Sequence, residues 1–484
     1  MYKSCDKEDL LYFTASGLNF IECFRFSNEM EKREKLIQLG ENLLKENIAL
    51  AMSYTEGGKP RYKPTKDRLL HELRKMDKLI MPNRINRNDE FLRLRLKSFN
   101  IKRVFNEEVD LTAEIDVILT TWGLGIFCVS VWLEEGKNCD YIVNFARLIL
   151  DRLSHQIEIQ HDDSDEIIKD SLFRAVEKKK RFFKKIISNY TDFKPEKRSK
   201  SIDHICIECQ SLSPTYHPDF HGNPLDLVEK YPKQIYGLLR LTDEWMGRGP
   251  LRLEKTLSHQ WQSSEYQLLL YNDASTLRID FELQDDLARE EAKMIASTKK
   301  DLGLDVDECF IDHKFVKRKI PSIRNIVLVE LFLFRKALLY GIENHLDRFM
   351  TPTLNELVVI RHEIANALEI HSSLKTPLPD LKETIDIMEK VSRVSELKDE
   401  VLEKLNHLED SIQTGHSLKQ EKYTMFLSVA ALSFSLVLAI SQLIFPTLYP
   451  EVNQSIVNFI MAIMVLITVS ISWFIIDKWS KKYW

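Results

Sequence analysis

Two long runs without a charged residue lie near the end of the chain, at 424–450 and 452–476, and only Glu451 separates them. Each run exceeds the roughly 20 mostly apolar residues that a helix needs to cross a bilayer. Pro446 and Pro450 lie at the end of the first run and favour a turn there. The pattern therefore predicts a two-helix transmembrane hairpin over 424–476.

The charges around this hairpin indicate its orientation. Its outer ends are flanked by lysines, at Lys419, Lys422, Lys478, Lys481 and Lys482. Because positively charged flanks stay on the cytoplasmic side, both termini are expected in the cytoplasm. The polar start of the chain is unlike a signal peptide. We therefore expect a multi-pass protein of the inner membrane.

Residues 321–423, which precede the hairpin, show apolar positions at intervals of three or four. The spacing predicts amphipathic helices at 323–349 and 353–371 and, after Pro379, a long helix that starts near Leu381 and leads toward the first span. The apolar stripe of such a helix packs well against copies of itself. The region is thus predicted to be an all-α stalk of a homo-oligomer.

The first 320 residues have a different pattern, in which short β-rich runs alternate with helical ones. A strong hairpin signal covers 115–132 around Gly123 and Gly125. Helices are predicted at 31–52 and 141–156, and strands at 201–210, 266–271 and 276–283. The predicted fold is an α+β cytoplasmic domain over 1–320, followed by the stalk over 321–423, the transmembrane hairpin over 424–476 and a basic cytoplasmic tail over 477–484.

Composition supports a large body that works in water. Of the 484 residues 29% are charged, and mean hydropathy is −0.25. The seven cysteines are scattered, which favours free thiols over a disulfide framework. The net charge of −5 does not select a class of partner.

Basic residues concentrate in two segments, at 61–103 and 178–200. The second contains the run Lys-Lys-Lys-Arg-Phe-Phe-Lys-Lys at 178–185. Lysines interleaved with aromatics can pair with phosphates and stack on bases. The alternative is a solvated helix whose phenylalanines face the core. We favour this alternative and expect no direct nucleic-acid partner.

One face of the first predicted span is small or polar. It carries Thr424, Ser428, Ala431, Ser435, Leu438 and Gln442, at helical spacings of three and four. Such a face could line a pore shared by several subunits, or it could allow close packing of helices in lipid. We predict that these residues line a pore, with Gln442 near its external mouth.

The order of these parts resembles the CorA-type divalent cation channels. The resemblance covers 321–484: a helical region that includes Glu330-Leu-Phe-Leu-Phe-Arg-Lys-Ala-Leu-Leu339, a long stalk helix, two closely spaced spans and a basic aromatic tail. The family's Gly-Met-Asn signature at the end of the first span is absent, and Gln442-Leu-Ile-Phe-Pro446 stands there. Five subunits would follow from the resemblance, and a tetramer is the alternative.

The missing signature and the large N-terminal body resemble one branch of that family, the CorA-like effectors of type III CRISPR systems. This resemblance implies an antiviral channel gated by a nucleotide second messenger, S-adenosylmethionine joined to AMP (SAM-AMP). No further cofactor is implied. Two alternatives stay open: a divalent cation transporter of the magnesium type, and a membrane-tethered enzyme that processes nucleotides.

A ligand that carries phosphate, adenine and sulfonium groups needs basic, acidic and aromatic side chains. Two turn-rich loops, at 216–224 and 243–250, and one helix offer them. The predicted ligand-binding residues are Arg147, Arg152, His217, Asp219, His221, Trp245 and Arg248. Local turn bonding in the first loop, and a helix-surface role for the arginines, are the alternatives.

A zinc site is conceivable at His204, Cys206 and Cys209 together with His217 and His221, and an acid–base catalytic site at Asp219 with the two histidines of its loop. If 202–210 is a strand, positions 206 and 209 point to opposite faces and cannot share a metal. No nucleophile motif or phosphate-binding loop accompanies these residues. We therefore predict neither a metal site nor an enzyme.

Overall fold

The computed structural model describes only part of the chain. It covers 10–26, 33–56, 59–63, 91–133, 135–150, 157–161, 166–191, 202–212, 224–242, 260–264, 267–280, 313–348, 354–374 and 379–443, with single positions such as His217 and parts of 455–474. Within these residues the chain divides into two compact units. The first comprises 1–345 and 363–399, and the second 346–362 and 400–484.

A large mixed sheet forms the centre of the first unit. Its strands are β1 (Tyr12–Arg25), β2 (Ala49–Glu56), β3 (Lys59–Lys63), β4 (Phe91–Val104), β5 (Glu107–Thr120), β6 (Leu124–Leu133), β7 (Lys137–Asn138), β8 (Ile157–His161), β9 (Ile167–Asp170), β10 (Ile202–Leu212), β11 (Gln260–Ser264), β12 (Gln267–Tyr271) and β13 (Ser275–Asp280). The main strand order is β11-β12-β13-β10-β1-β6-β5-β4-β2-β3. β10 and β13 are parallel, whereas the neighbouring pairs β1–β10, β1–β6 and β5–β6 are antiparallel.

Helices follow and separate these strands. They are α1 (Arg33–Lys45), α2 (Cys139–Leu150), α3 (Leu172–Tyr190), α4 (Pro224–Lys230), α5 (Pro232–Arg240), α6 (His313–Arg348), α7 (Leu354–Ser373), α8 (Pro379–Val391) and α9 (Val394–Leu443). The division between the two units falls inside α6, inside α7 and inside α9.

One face of the sheet carries the main hydrophobic core. Strand side chains at alternate positions, such as Leu18, Phe20 and Phe24 of β1, join apolar residues of α1, α2 and α3. Phe145 of α2 and Phe183 of α3 are fully covered there. These alternating strands and amphipathic helices place the first core on one side of the sheet.

The other face of the sheet packs against α6. Phe334 of α6 lies edge-on to Phe91 and Trp122, with ring centroids 5.8 and 6.1 Å apart. Residues 325–339 of α6 are all buried, so this stretch is covered on every side. At Gly341 an added Cβ would lie 1.0 Å from Nη1 of Arg25, so any larger residue there would displace the Arg25 side chain.

The predicted fold class is wrong at its C-terminal end. None of the helices in the described part of the chain has both the length and the apolar character of a bilayer span. The prediction treated 424–450 and 452–476 as two continuous helices. The structure describes helix only to Leu443 in the first run, and only in short pieces between 455 and 474 in the second. The transmembrane hairpin, the ion-channel assignment and the multi-pass inner-membrane location are corrected accordingly.

Two helix boundaries also differ from the predicted ones. The helix predicted over 31–52 ends at Lys45, and β2 begins at Ala49. Asn47 has φ 58°, a left-handed conformation that ends helices. The long helix predicted from Leu381 is divided into α8 and α9 at Arg393, where φ is 57°. Both breaks depend on residues that periodicity does not single out.

Candidate functional site

Two of the seven predicted ligand-binding residues lie in the described part of the chain. Arg147 is exposed in the last turn of α2. His217 is half-buried, and its Nε2 accepts a hydrogen bond of 3.0 Å from the backbone N–H of Tyr12. The His217 ring also lies edge-on to Tyr231, at 5.8 Å. His217 therefore holds the start of β1 in place.

The remaining five, Arg152, Asp219, His221, Trp245 and Arg248, lie outside the described residues. The pKa of His217 is lowered by burial and, to a smaller degree, by Lys230. Its Nε2 already accepts a hydrogen bond, which fits a neutral ring. The predicted ligand site thus stays a prediction, with His217 in a packing role.

The predicted pore residues lie on α9, the helix of the corrected membrane span. Thr424, Ser428 and Ser435 are exposed. The hydroxyl of Thr424 donates to the carbonyl of Gln420, at 2.9 Å, and that of Ser428 donates to Thr424, at 2.8 Å. Leu438 and Gln442 belong to the helix, but their side chains are outside the described set. A pore-lining role loses its basis together with the hairpin.

The residues considered for zinc occupy two sides of the sheet. Cys209 belongs to the core beneath α2 and α3, while Cys206 is buried outside that core. His204 lies two residues before Cys206, on the same face of β10. Its Nε2 lies 2.7 Å from Oγ1 of Thr276. Among the described residues, His, Cys, Asp and Glu side chains form no group that could hold a metal.

The structure reveals a set of buried polar side chains that the sequence reasoning missed. They occupy the sheet face that α6 covers. We call them the polar layer: Asn19, Arg93, Asp116, Ser130, His204, Glu208, Thr276 and Arg278. Each has 9% or less of its surface exposed, although five of them carry an ionisable group.

Strand register brings these residues side by side. Asn19 of β1 is paired with Ser130 of β6 and with Cys206 of β10, which is paired with Thr276 of β13. One row further along β1, Ile21 pairs with His204 and with Cys128, and Cys128 pairs with Asp116. Since directly paired residues share a face, the polar layer is a continuous band across several strands.

Helix α6 contributes a carboxylate to this band. Glu330 of α6 binds Arg93 of β4 through two hydrogen bonds, 2.5 Å from Nη2 to Oε2 and 3.3 Å from Nη1 to Oε1. The side chains of Arg93 and Glu330 are 2% and 1% exposed. A bidentate pair in a dry interior fixes the angle between strand and helix, and losing one partner is costly.

The opposite side of α6 is held in a similar way. Arg335 donates through Nε to Glu389 of α8 and through Nη1 to the carbonyl of Leu374, at 3.0 Å. Lys336 forms an ion pair of 2.9 Å with Asp273 in the turn before β13. The middle of α6 is therefore held by ionic contacts to the sheet and to α8.

Burial keeps the side chain of His204, near α6, neutral. It lowers the pKa of His204 to about 3, and the charge of Lys336 adds to this effect. The ring of Phe332 lies edge-on to His204, at 6.1 Å. His204 is thus uncharged near neutral pH and suited to hydrogen bonding with Thr276.

The thiols in this band are likewise unreactive. Burial raises the pKa of Cys128 and of Cys206 well above the ordinary value, and neighbouring carboxylates raise it further. A protonated thiol is a poor nucleophile. His204 is therefore neutral and the two thiols are protonated in this band.

A signal for the polar layer is present in the sequence. In β10, polar or small side chains alternate with isoleucine from His204 to Glu208. Such alternation normally predicts a solvated sheet face. The distinguishing sign is in the covering helix, where Glu330, Arg335 and Lys336 interrupt an otherwise apolar stretch at 326–339. Of these three, Glu330 pairs with a buried charge of the sheet, Arg93.

Comparison of the chain with protein-family models, with curated proteins and with solved structures finds no match.

Proposed function

We propose that the protein is a ligand-responsive signalling protein, in which binding of a small nucleotide to the first unit changes the position or stability of α6. The supporting observation is the buried Arg93–Glu330 pair, which connects the sheet to that helix. A charged pair in the interior depends on its surroundings, so a charged ligand bound nearby alters its free energy.

The same helix provides the route of the response. Residues 325–339 are buried and ion-paired on two sides, and the helix continues to Arg348, past the point at which the second unit begins. A ligand shifts such an equilibrium only as far as it binds the two states with different affinity. In the proposal, the ion pairs of α6 are intact in one state and broken in the other, and the ligand binds these two states with different affinity.

The nucleotide implied by the family resemblance, SAM-AMP, is the first ligand to test. Its binding to the purified full chain is measured by calorimetry, with cyclic oligoadenylates and ATP as competitors. Selective binding supports the proposal. If none of these nucleotides binds, the proposal that the ligand is a nucleotide is overturned.

Hydrogen exchange of α6 tests the coupling separately. We expect bound nucleotide to change exchange in 325–345 of the wild type. In Glu330→Gln, which keeps a hydrogen-bonding group but removes the charge, binding should persist and the change in exchange should diminish. An unchanged exchange pattern on saturation by a nucleotide would exclude α6 as the responding element.

We also propose that α9 assembles with copies of itself. Leu427, Leu432 and Leu436 are 65%, 71% and 64% exposed in the isolated chain. Along the first turns of the same helix, Val394, Leu397 and Val401 are already buried within the chain, so the exposed leucines further along α9 are the surface offered to another copy. Sedimentation of the full chain over a range of concentrations tests this, and a monomer at every concentration would contradict it.

A further inference from the structure

The outward face of α3 carries a row of cations. Arg174, Lys178, Arg181 and Lys185 follow one another at intervals of four, three and four residues, which places them on one side of the helix. All four are exposed. The row extends over about 16 Å at the helical rise of about 1.5 Å per residue. Phe182 lies next to it and is 56% exposed.

The inward face of α3 uses its lysines differently. Lys180 contacts Glu22 of β1, and Lys184 lies 3.6 Å from the same carboxylate and 4.3 Å from the ring centroid of Phe24. Phe183 is buried in the core. A solvated helix with its aromatics turned inward accounts for Phe183. It does not account for Phe182, which has no place in the core.

Carboxylates compensate this row only in part. Lys178 pairs with Asp170 at 2.5 Å, and Arg181 approaches Glu177 at 3.6 Å. The side chains of Lys178 and Arg181 remain 72% and 80% exposed. Surface pairs of this kind contribute little free energy, so phosphates can replace these carboxylates.

We propose that the α3 cationic surface, formed by Arg174, Lys178, Arg181, Phe182 and Lys185, binds single-stranded nucleic acid. The four cations face the phosphates, and the exposed ring of Phe182 stacks on a base. A lipid surface is a poorer occupant. A membrane-surface helix turns its apolar face to the lipid, whereas α3 buries Phe183, Ile186 and Ile187 against the sheet.

The probe is a fluorescently labelled single-stranded RNA of uridines, and its affinity for the full chain is measured by anisotropy across a salt series. If each of the four cations neutralises one phosphate, the slope of log K against log salt should be about −2.8. In Arg174→Glu/Lys185→Glu we expect affinity to fall at least tenfold and the slope to become shallower by about 1.4.

Two further variants separate this surface from general charge. Phe182→Ala should weaken binding about fivefold or more, because one stacked base contributes roughly 1–3 kcal/mol. Lys45→Glu/Lys398→Glu changes net charge equally at two exposed lysines on other helices and should leave affinity within about twofold. Arg174→Gln/Lys185→Gln replaces the reversal variant if melting shows that the latter is unfolded.

Three results would overturn the proposal. The first is an equal loss of affinity in the α3 variant and its matched control. The second is a Phe182→Ala protein that binds as tightly as the wild type. The third is preferential binding of the wild type to vesicles of anionic lipid over RNA, because this would make a lipid headgroup the occupant of the surface.

Discussion

The interior of the first unit contains charged residues, whereas the exterior of α9 carries apolar ones, which is the reverse of the usual distribution of residues between core and surface. On the α6 side of the sheet, charged groups such as Arg93 and Glu330 are almost completely buried. On α9, leucines such as Leu432 are mostly exposed. Arg93 and Glu330 pair with each other within the same unit. The exposed leucines must find their partner elsewhere, which is why we propose self-association of α9.

The largest effect on stability is expected from removing the carboxylate of the buried pair. Glu330→Ala should lower the free energy of unfolding by about 3–5 kcal/mol, because the Arg93 guanidinium stays in the interior without it. Urea unfolding of the full chain measures the loss. Glu396→Ala removes an exposed carboxylate and serves as the control, with an expected change below about 0.5 kcal/mol.

A double variant, Arg93→Met/Glu330→Leu, distinguishes the effect of the buried charge from the effect of packing. Replacing both charges by apolar groups should restore much of the stability lost in Glu330→Ala. A double variant as unstable as the single one would show that packing, and not the buried charge, accounts for the loss.

Acid should weaken the first unit through His204. Its pKa is about 3 when folded and about 6.5 when unfolded, so the unfolded chain binds the extra proton. The contribution of His204 is complete above pH 6.5 and is lost as pH falls toward 3, with about 2 kcal/mol lost by pH 5. Urea unfolding above pH 6.5 and at pH 5 should show a smaller loss of stability in His204→Gln than in the wild type. An equal loss would mean that other groups titrate.

The cap of α3 gives a smaller, local effect. Ser171 accepts a hydrogen bond of 3.2 Å from the N–H of Arg174 at the start of the helix. Ser171→Ala should reduce stability by about 1 kcal/mol, which thermal melting can detect. Ser171→Asp, which keeps an accepting oxygen, should be close to the wild type. A cost in that variant equal to the alanine one would rule out capping.

The smallest effect on unfolding is expected on α9. Leu432→Ser and Leu436→Ser should change the unfolding free energy of the isolated chain by less than about 0.5 kcal/mol, since both side chains are already exposed. They should nevertheless shift sedimentation toward smaller species. Unchanged assembly would place the contact between copies on another surface.

Local patterns predicted much of the sheet. The hairpin signal over 115–132 corresponds to β5 and β6, joined at Gly123, whose φ is 75°. The runs at 201–210 and 266–271 correspond to β10 and β12. Alternation of side chains and a turn glycine are local properties, so a single stretch of sequence is sufficient to show them.

The polar layer could not be predicted in the same way. Its members come from β1, β4, β5, β6, β10 and β13, and only strand register brings them together. Alternation in β10 predicts one apolar and one polar face, but α6, more than a hundred residues later, decides that the polar face is buried.

The prediction of two membrane helices was wrong for a different reason. The lack of charge in the two C-terminal runs was taken as proof that each run is one continuous helix.

The meeting of Gly341 and Arg25 has a consequence for finding relatives of this chain. No side chain fits at 341 while the arginine passes there, since an added Cβ would lie 1.0 Å from its guanidinium. A residue larger than glycine can stand at 341 only if the Arg25 side chain moves aside or is replaced, whereas Arg25 can be shortened with Gly341 unchanged. In an alignment, residues other than glycine at 341 should therefore accompany residues smaller than arginine at 25, and this pairing across more than three hundred residues offers a criterion for recognising distant homologues.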